Sequence, residues 1–128
     1  MYRPFAPAPA AGGMAVLGIP EYRLPRDVLN SEIGEILDLG VEIKFNQRLG
    51  TDFNLASLRE QGFKAIFLGI GAHKDRGLDI EGIHLDGVLP AVDFLLNVNL
   101  GYKTDLGDRV VIVGGGDVAV DAARVATR

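Results

Sequence analysis

A chain of 128 residues, 48% apolar and 23% charged, has the balance of one ordinary globular domain with its own core rather than of a disordered segment. Its net charge of −4, without basic clusters interleaved with aromatics, argues against nucleic acid and against an anionic membrane surface as partners. Cysteine is absent, so these residues supply no disulfide, no thiolate nucleophile and no ligand for an iron–sulfur cluster.

No apolar stretch approaches the roughly 20 residues that a membrane helix needs. The opening MYRPFAPAPAAGGM lacks the apolar run of a secretory signal. The expectation is a soluble, cytoplasmic protein. Residues 1–13, rich in Pro, Ala and Gly, read as a flexible tail, because proline fixes φ and removes backbone donors.

Over residues 26–39, Val28, Leu29, Ile33, Ile36, Leu37 and Leu39 recur at helical spacing, with Pro25 ahead and Gly40 as a stop. Residues 41–45, Val-Glu-Ile-Lys-Phe, alternate apolar and polar, which predicts a strand with one buried face. A short helix is expected over 54–61, capped by Asn54 or Asp52 and ended by Gly62. The continuous apolar run at 65–68 suits a strand buried on both faces of a parallel sheet, and it runs into Gly69-Ile70-Gly71-Ala72. Residues 73–90 read as loop and short edge elements, 91–100 as a helix, and 109–113 as another buried strand. A helix follows from about Asp117 to the end. Strands that alternate with helices and close on Gly-rich turns predict an α/β layered fold.

The segment Val110-Val111-Ile112-Val113-Gly114-Gly115-Gly116-Asp117-Val118-Ala119 carries the chemistry. It is G-x-G-x-x-A between an apolar strand pattern and an Ala-rich helix. Gly114 allows a tight turn, Gly116 lets backbone approach a pyrophosphate, and Ala119 allows close packing of helix on strand. The helix start offers unpaired N–H groups and the positive dipole end to phosphate. The alternative is a Gly-rich turn that merely packs tightly. The residue that distinguishes NADH from NADPH lies about 20 residues beyond such a turn, so that choice stays open, and Arg124 and Arg128 come too early to make it.

Other constellations carry less. Asp117 and Asp121 are one helical turn apart, but Asp117 is explained by a favourable charge at a helix N-terminus. His73 and His84 lack metal-ligand spacing, and Ser31 and Ser57 lack a nucleophile elbow. No residue reads as a general base, which suits an enzyme whose cofactor carries the hard chemistry.

With the glycine motif in place, Gly18-Ile19-Pro20-Glu21-Tyr22-Arg23-Leu24-Pro25 becomes informative. The string GIPEYRLP, with FLGIGAHK, AVDFLLNVNLG and VVIVGGGDVAVDAAR after it, resembles the glutamate synthase small subunit family. It is also similar to the flavin- and NADPH-binding part of dihydropyrimidine dehydrogenase. The resemblance runs from Gly12 onward, in the family's order and spacing. It implies a parallel-sheet, Rossmann-like FAD- and NAD(P)H-binding fold in an incomplete form, without the first FAD βαβ unit and most of the NAD(P)H domain. Residues 14–107 would be the remainder of the FAD domain with its linker, and 108–128 the start of the NAD(P)H domain. The chain would then be an internal fragment.

By position, the resemblance implies that Gly12, Gly13, Arg23, Leu49, Gly69 and Gly71 contact FAD. Gly114, Gly115, Gly116, Asp117, Val118 and Ala119 would meet NAD(P)H. A guanidinium at Arg23 suits phosphate. The implied activity is an NAD(P)H-dependent flavoprotein oxidoreductase that passes electrons through FAD to an iron–sulfur protein or large catalytic subunit. The family's F-E-x-x-P-x-x-G-G has Ala6 in place of its Glu here. The alternative is a non-catalytic nucleotide-binding or docking module. An open sheet edge would favour self-association.

Overall fold

The computed structural model describes residues 5–6, 10–72 and 77–128. The order is β1 (Phe5–Ala6), α1 (Met14–Leu17), α2 (Arg26–Asp38), β2 (Lys44–Phe45), α3 (Leu55–Glu60), α4 (Ala91–Asn99) and α5 (Asp117–Ala126). The chain divides into two compact units. The described residues of Met1–Gly13 and Asp27–Ala72 form the first, and those of Met14–Arg26 and His73–Arg128 form the second.

In the first unit β1 and β2 pair in parallel, with Phe5 opposite Lys44 and Ala6 opposite Phe45. Parallel neighbours need a crossover, and α2 lies in the connection between them. The expectation of a tail over 1–13 therefore fails at Phe5 and Ala6, which find a ladder partner. The amphipathic pattern over 26–39 does form a helix, and it stops as the spacing predicts: Gly40 takes φ +83°, a left-handed value that L side chains resist. Before α3, the Ser57 N–H donates to Asn54 Oδ1 at 2.8 Å and the Asn54 N–H donates to Ser57 Oγ at 3.1 Å. This reciprocal box makes Asn54 the cap, while the Asp52 carboxylate accepts from the Arg48 N–H at 2.7 Å.

The second unit holds the core. Phe94 and Leu95 of α4 and Ala122 of α5 are buried, and Val98, Leu106, Ile112 and Val125 pack against them. Burial of side chains this size stabilises by about 1.5–3 kcal/mol each for Phe and Leu. α4 ends in a Schellman arrangement, the Gly101 N–H donating to the Val98 carbonyl and the Tyr102 N–H to that of Asn97. Its last residue, Asn99, donates through Nδ2 to the carbonyls of Leu17 at 2.8 Å and Ile19 at 3.3 Å. That amide fixes the turn after α1, a four-residue helix too short to leave a periodic signature in the sequence.

Two expected strands are absent. Residues 65–68 and 109–113 have no ladder partner, and most of their side chains are exposed, Phe67 at 84% and Val111 at 86%, although Ile112 packs against the core. Apolar runs of this kind specify what a strand would bury, but a strand exists only where a second one accepts its N–H groups. The fold is mixed, mainly helical, with one short parallel pair among the described residues. None of the described helices is long and apolar enough to cross a membrane.

Candidate nucleotide-binding site

The glycine motif lies at the start of α5. Gly114 has φ +132°, outside the range that L side chains favour, and a Cβ there would sit 3.4 Å from the Ala119 Cβ. Turn and helix thus approach as closely as G-x-G-x-x-A demands. A Cβ on Gly115 or Gly116 would meet nothing within 4 Å, so the space over the turn is open. Gly116 is the N-cap and brings no side-chain acceptor, although its carbonyl takes the Val120 N–H at 3.1 Å. The first-turn donors of α5 therefore have no side chain competing for them at the cap.

Beside the turn lies a cleft of about 1080 Å³, walled by Gly116, by Val118 and Ala119 of α5, by residues 109–113, and by Asp93 and Phe94 of α4. Apolar walls with a few acidic and basic groups suit a ligand that combines flat rings with charge.

The segment carrying GIPEYRLP packs on the same helix. The Tyr22 hydroxyl donates to Asp121 Oδ1 at 2.8 Å, and two guanidinium groups lie over the Tyr22 ring, Arg124 at 4.2 Å and Arg128 at 4.3 Å from its centroid. Arg23 pairs with Asp121 at 3.2 Å and with Asp117 at 3.5 Å. Asp121 is buried, with a side chain only 6% exposed, whereas the Asp117 side chain is 87% exposed. A carboxylate so deep needs compensation, and a hydroxyl and a guanidinium supply it. Burial of the phenol first, then its hydrogen bond to Asp121 and that group's charge, push the Tyr22 pKa above its ordinary value.

Asp117 and Asp121 thus share one cation, a relationship their spacing alone did not reveal. Arg124 and Arg128 both lie over an aromatic ring. Tyr22 is the residue sequence reasoning passed over, and the signal was its place inside an uncommon string. The turn of Arg26 is braced as well, since its guanidinium donates to the carbonyls of Ala15 at 2.9 Å and Ile19 at 2.8 Å.

The remaining expected positions fall in the first unit, apart from Arg23. Gly12, Gly13 and Gly71 have φ of +105°, +51° and +67°. Leu49 forms an isolated parallel bridge with Phe53, and Gly69 lies beneath the Phe67 ring, a ring carbon of which would be 2.9 Å from a Cβ placed there. His73 lies outside the described residues, as do Pro7 and Pro9. Among the described residues no three His, Asp or Glu side chains come together as a metal site.

Comparison with known proteins bears on this geometry. No protein-family model matches the chain. It is 42% identical over 120 residues to the NADPH-Fe(3+) oxidoreductase subunit beta of Geobacter sulfurreducens, an alignment covering 91% of the chain and 18% of that protein. With the NADP(+)-dependent formate dehydrogenase subunit beta of Moorella thermoacetica it shares 42% over 127 residues, 97% of the chain and 18% of the relative. With the glutamate synthase [NADPH] small chain of Halomonas elongata it shares 38% over 130 residues, 94% of the chain and 27% of the relative.

Over nearly all of its length the chain is similar to a part of the glutamate synthase small chains. It spans between a fifth and a third of the length of the small chains it matches, and about a fifth of the two beta subunits. The alignment with a small chain takes in nearly all of this sequence, so it includes both the GIPEYRLP segment and most or all of the glycine motif. In this chain those two segments are in direct contact through Tyr22, Arg23 and α5.

Proposed function

We propose that this chain is part of a flavoprotein oxidoreductase and binds the diphosphate of a nicotinamide dinucleotide at the turn formed by Gly114, Gly115 and Gly116. The observation that carries this reading is the N-terminus of α5, which no side chain caps, behind a glycine at φ +132°. Relatives named for NADPH or NADP(+) support it and favour NADPH over NADH. The backbone donors of Asp117, Val118 and Ala119 would meet the phosphates, assisted by the helix dipole. The cleft beside the turn would hold the rings and keep water from one face.

Bound NADPH supplies a hydride, and the chain's own contribution is to hold it. On this reading residues 108–128 open the nicotinamide-nucleotide domain, and residues 14–107 belong to a flavin domain with its linker. Positive φ at Gly12, Gly13 and Gly71 suits backbone that approaches a second cofactor, FAD. Arg23 fits that role less well, since its guanidinium is already paired with Asp117 and Asp121. The acceptor is proposed to be an iron–sulfur partner or a large catalytic subunit in the cytoplasm, since the relatives are themselves named as subunits or small chains.

Titration calorimetry of the purified chain with NADPH tests the proposal. Saturable binding, weakened by Gly116→Val, is the expected result. Heat that shows no saturation, or binding that Gly116→Val leaves intact, would overturn it. Incubation with FAD followed by gel filtration and a visible spectrum separates a nucleotide-binding module from one that also retains flavin.

A further inference from the structure

At the end of α3 the chain turns back through Gly62, which takes φ +92°. The Gly62 N–H donates to the Arg59 carbonyl at 2.9 Å and the Phe63 N–H to the Leu58 carbonyl at 3.2 Å, a Schellman arrangement that satisfies the last carbonyls of the helix. The turn brings Phe63 and Lys64 beside α3, where a cleft of about 500 Å³ is lined by Leu55, Arg59, Phe63, Lys64, Ile66 and Leu68. Small-molecule sites span roughly 300–1,000 Å³ and are mostly apolar with a few placed polar groups. Here the polar groups are both cations, and no acidic residue lines the cleft. Among the described residues neither Arg59 nor Lys64 has an ion-pair partner, in a chain whose net charge is −4. Arg59 suits the negative end of the helix dipole, whereas Lys64 lies beyond the helix and has no such role.

We propose that this cleft binds an amphipathic anion, an apolar body packed on Leu55, Phe63, Ile66 and Leu68 with a carboxylate or phosphate ester at one end paired with Arg59 and Lys64. Charge complementarity selects that class: a cation would be repelled, and a neutral molecule would leave both positive groups unused. The guanidinium offers a planar fork to an oxyanion and the ammonium a compact point charge. Leu55 and Leu68 are 43% and 55% exposed, so a ligand that covers them removes apolar surface from water. The site is independent of the dinucleotide reading, since it lies within the first unit and the glycine turn within the second. Nor is it the expected flavin position, because none of Gly12, Gly13, Leu49, Gly69 and Gly71 lines it.

The test is an amide NMR titration of the full chain with three probes: naphthoate, naphthyl phosphate and uncharged naphthalenemethanol. The anions should move the amides of Leu55, Arg59, Lys64 and Leu68 saturably, and the neutral probe should bind about tenfold more weakly or worse. The tighter of the two anions identifies the head group. Arg59→Gln and Lys64→Gln, both at exposed positions, should each weaken the anions roughly fivefold, the size of one solvent-screened charge. Lys64→Arg should retain binding, and Lys103→Gln, outside the cleft, should leave it unchanged. If one variant melts before it can be measured, the other decides. Equal affinity for the neutral probe overturns the proposal, as does anion binding that both glutamine variants leave intact. Shifts spread without saturation over exposed apolar residues such as Phe67 and Val111, or no shifts at all, overturn it too, and none of these results touches the dinucleotide reading.

Discussion

Tyr22 and Asp121, 99 residues apart in the chain, are joined by a 2.8 Å hydrogen bond that runs from a phenol to a buried carboxylate. Around it, Arg23 completes the carboxylate's partners and two arginines cover the ring. Asp121→Ala should lower unfolding free energy by about 1–3 kcal/mol, since it strips the partner from a phenol and a guanidinium at once. Urea denaturation followed by circular dichroism measures this, and a change below about 0.5 kcal/mol would show that the contact contributes nothing net.

The same pair gives a pH signature. The Tyr22 pKa is raised from 10.0 by burial and by Asp121, so the folded state holds the phenolic proton more tightly than the unfolded chain does. Its contribution to stability is therefore complete below that ordinary value and is lost as pH climbs through the higher folded-state pKa. The phenolate absorbance of the chain, minus that of Tyr22→Phe, should show one group ionising later than a free tyrosine. Ionisation at the ordinary value would mean that the hydroxyl does not face Asp121 in solution.

Leu95 is 2% exposed in the core between α4 and α5. Leu95→Ala should cost about 2–4 kcal/mol through lost burial and a residual cavity. Leu39, 83% exposed, is the control, and Leu39→Ala should fall within about 0.5 kcal/mol of the parent.

Gly114→Ala tests the turn by a different route. At φ +132° any side chain is strained, by about 1–3 kcal/mol, and the new methyl would press on Ala119 at 3.4 Å. A lower melting temperature together with weaker NADPH binding is expected. Unchanged stability would mean the turn relaxes freely and is not fixed by its contact with the helix.

At α3 the reciprocal Asn54–Ser57 box predicts a local effect. Asn54→Ala should cost about 1 kcal/mol and speed hydrogen exchange of the amides of Ser57 and Leu58, while leaving those of α5 unchanged.

The helices were legible in the sequence because their signals are local. The apolar spacing before Gly40, the Asn54 cap and the Ala-rich run after Gly116 each specify structure over a few helical turns at most. The runs at 65–68 and 109–113 were read as buried strands and are not, because pairing depends on a partner that a local pattern does not contain. The tight turn at Gly114 was legible, while the strand on which Ala119 was expected to pack did not form. The cluster around Tyr22 was not legible: a tyrosine, two aspartates and three arginines on two distant segments have no periodicity to betray them, and only folding brings them together.

α5 has ten residues, fewer than the roughly 12–15 at which an isolated helix becomes even marginal in water. Its first turn is thus conditional on neighbours, and the segment around Tyr22 is one of them. Those contacts couple the two segments, so a ligand that engages the helix start is expected to slow opening of the chain near residue 22. A ligand at the glycine turn would leave its footprint in amide exchange almost a hundred residues upstream, on backbone it never touches.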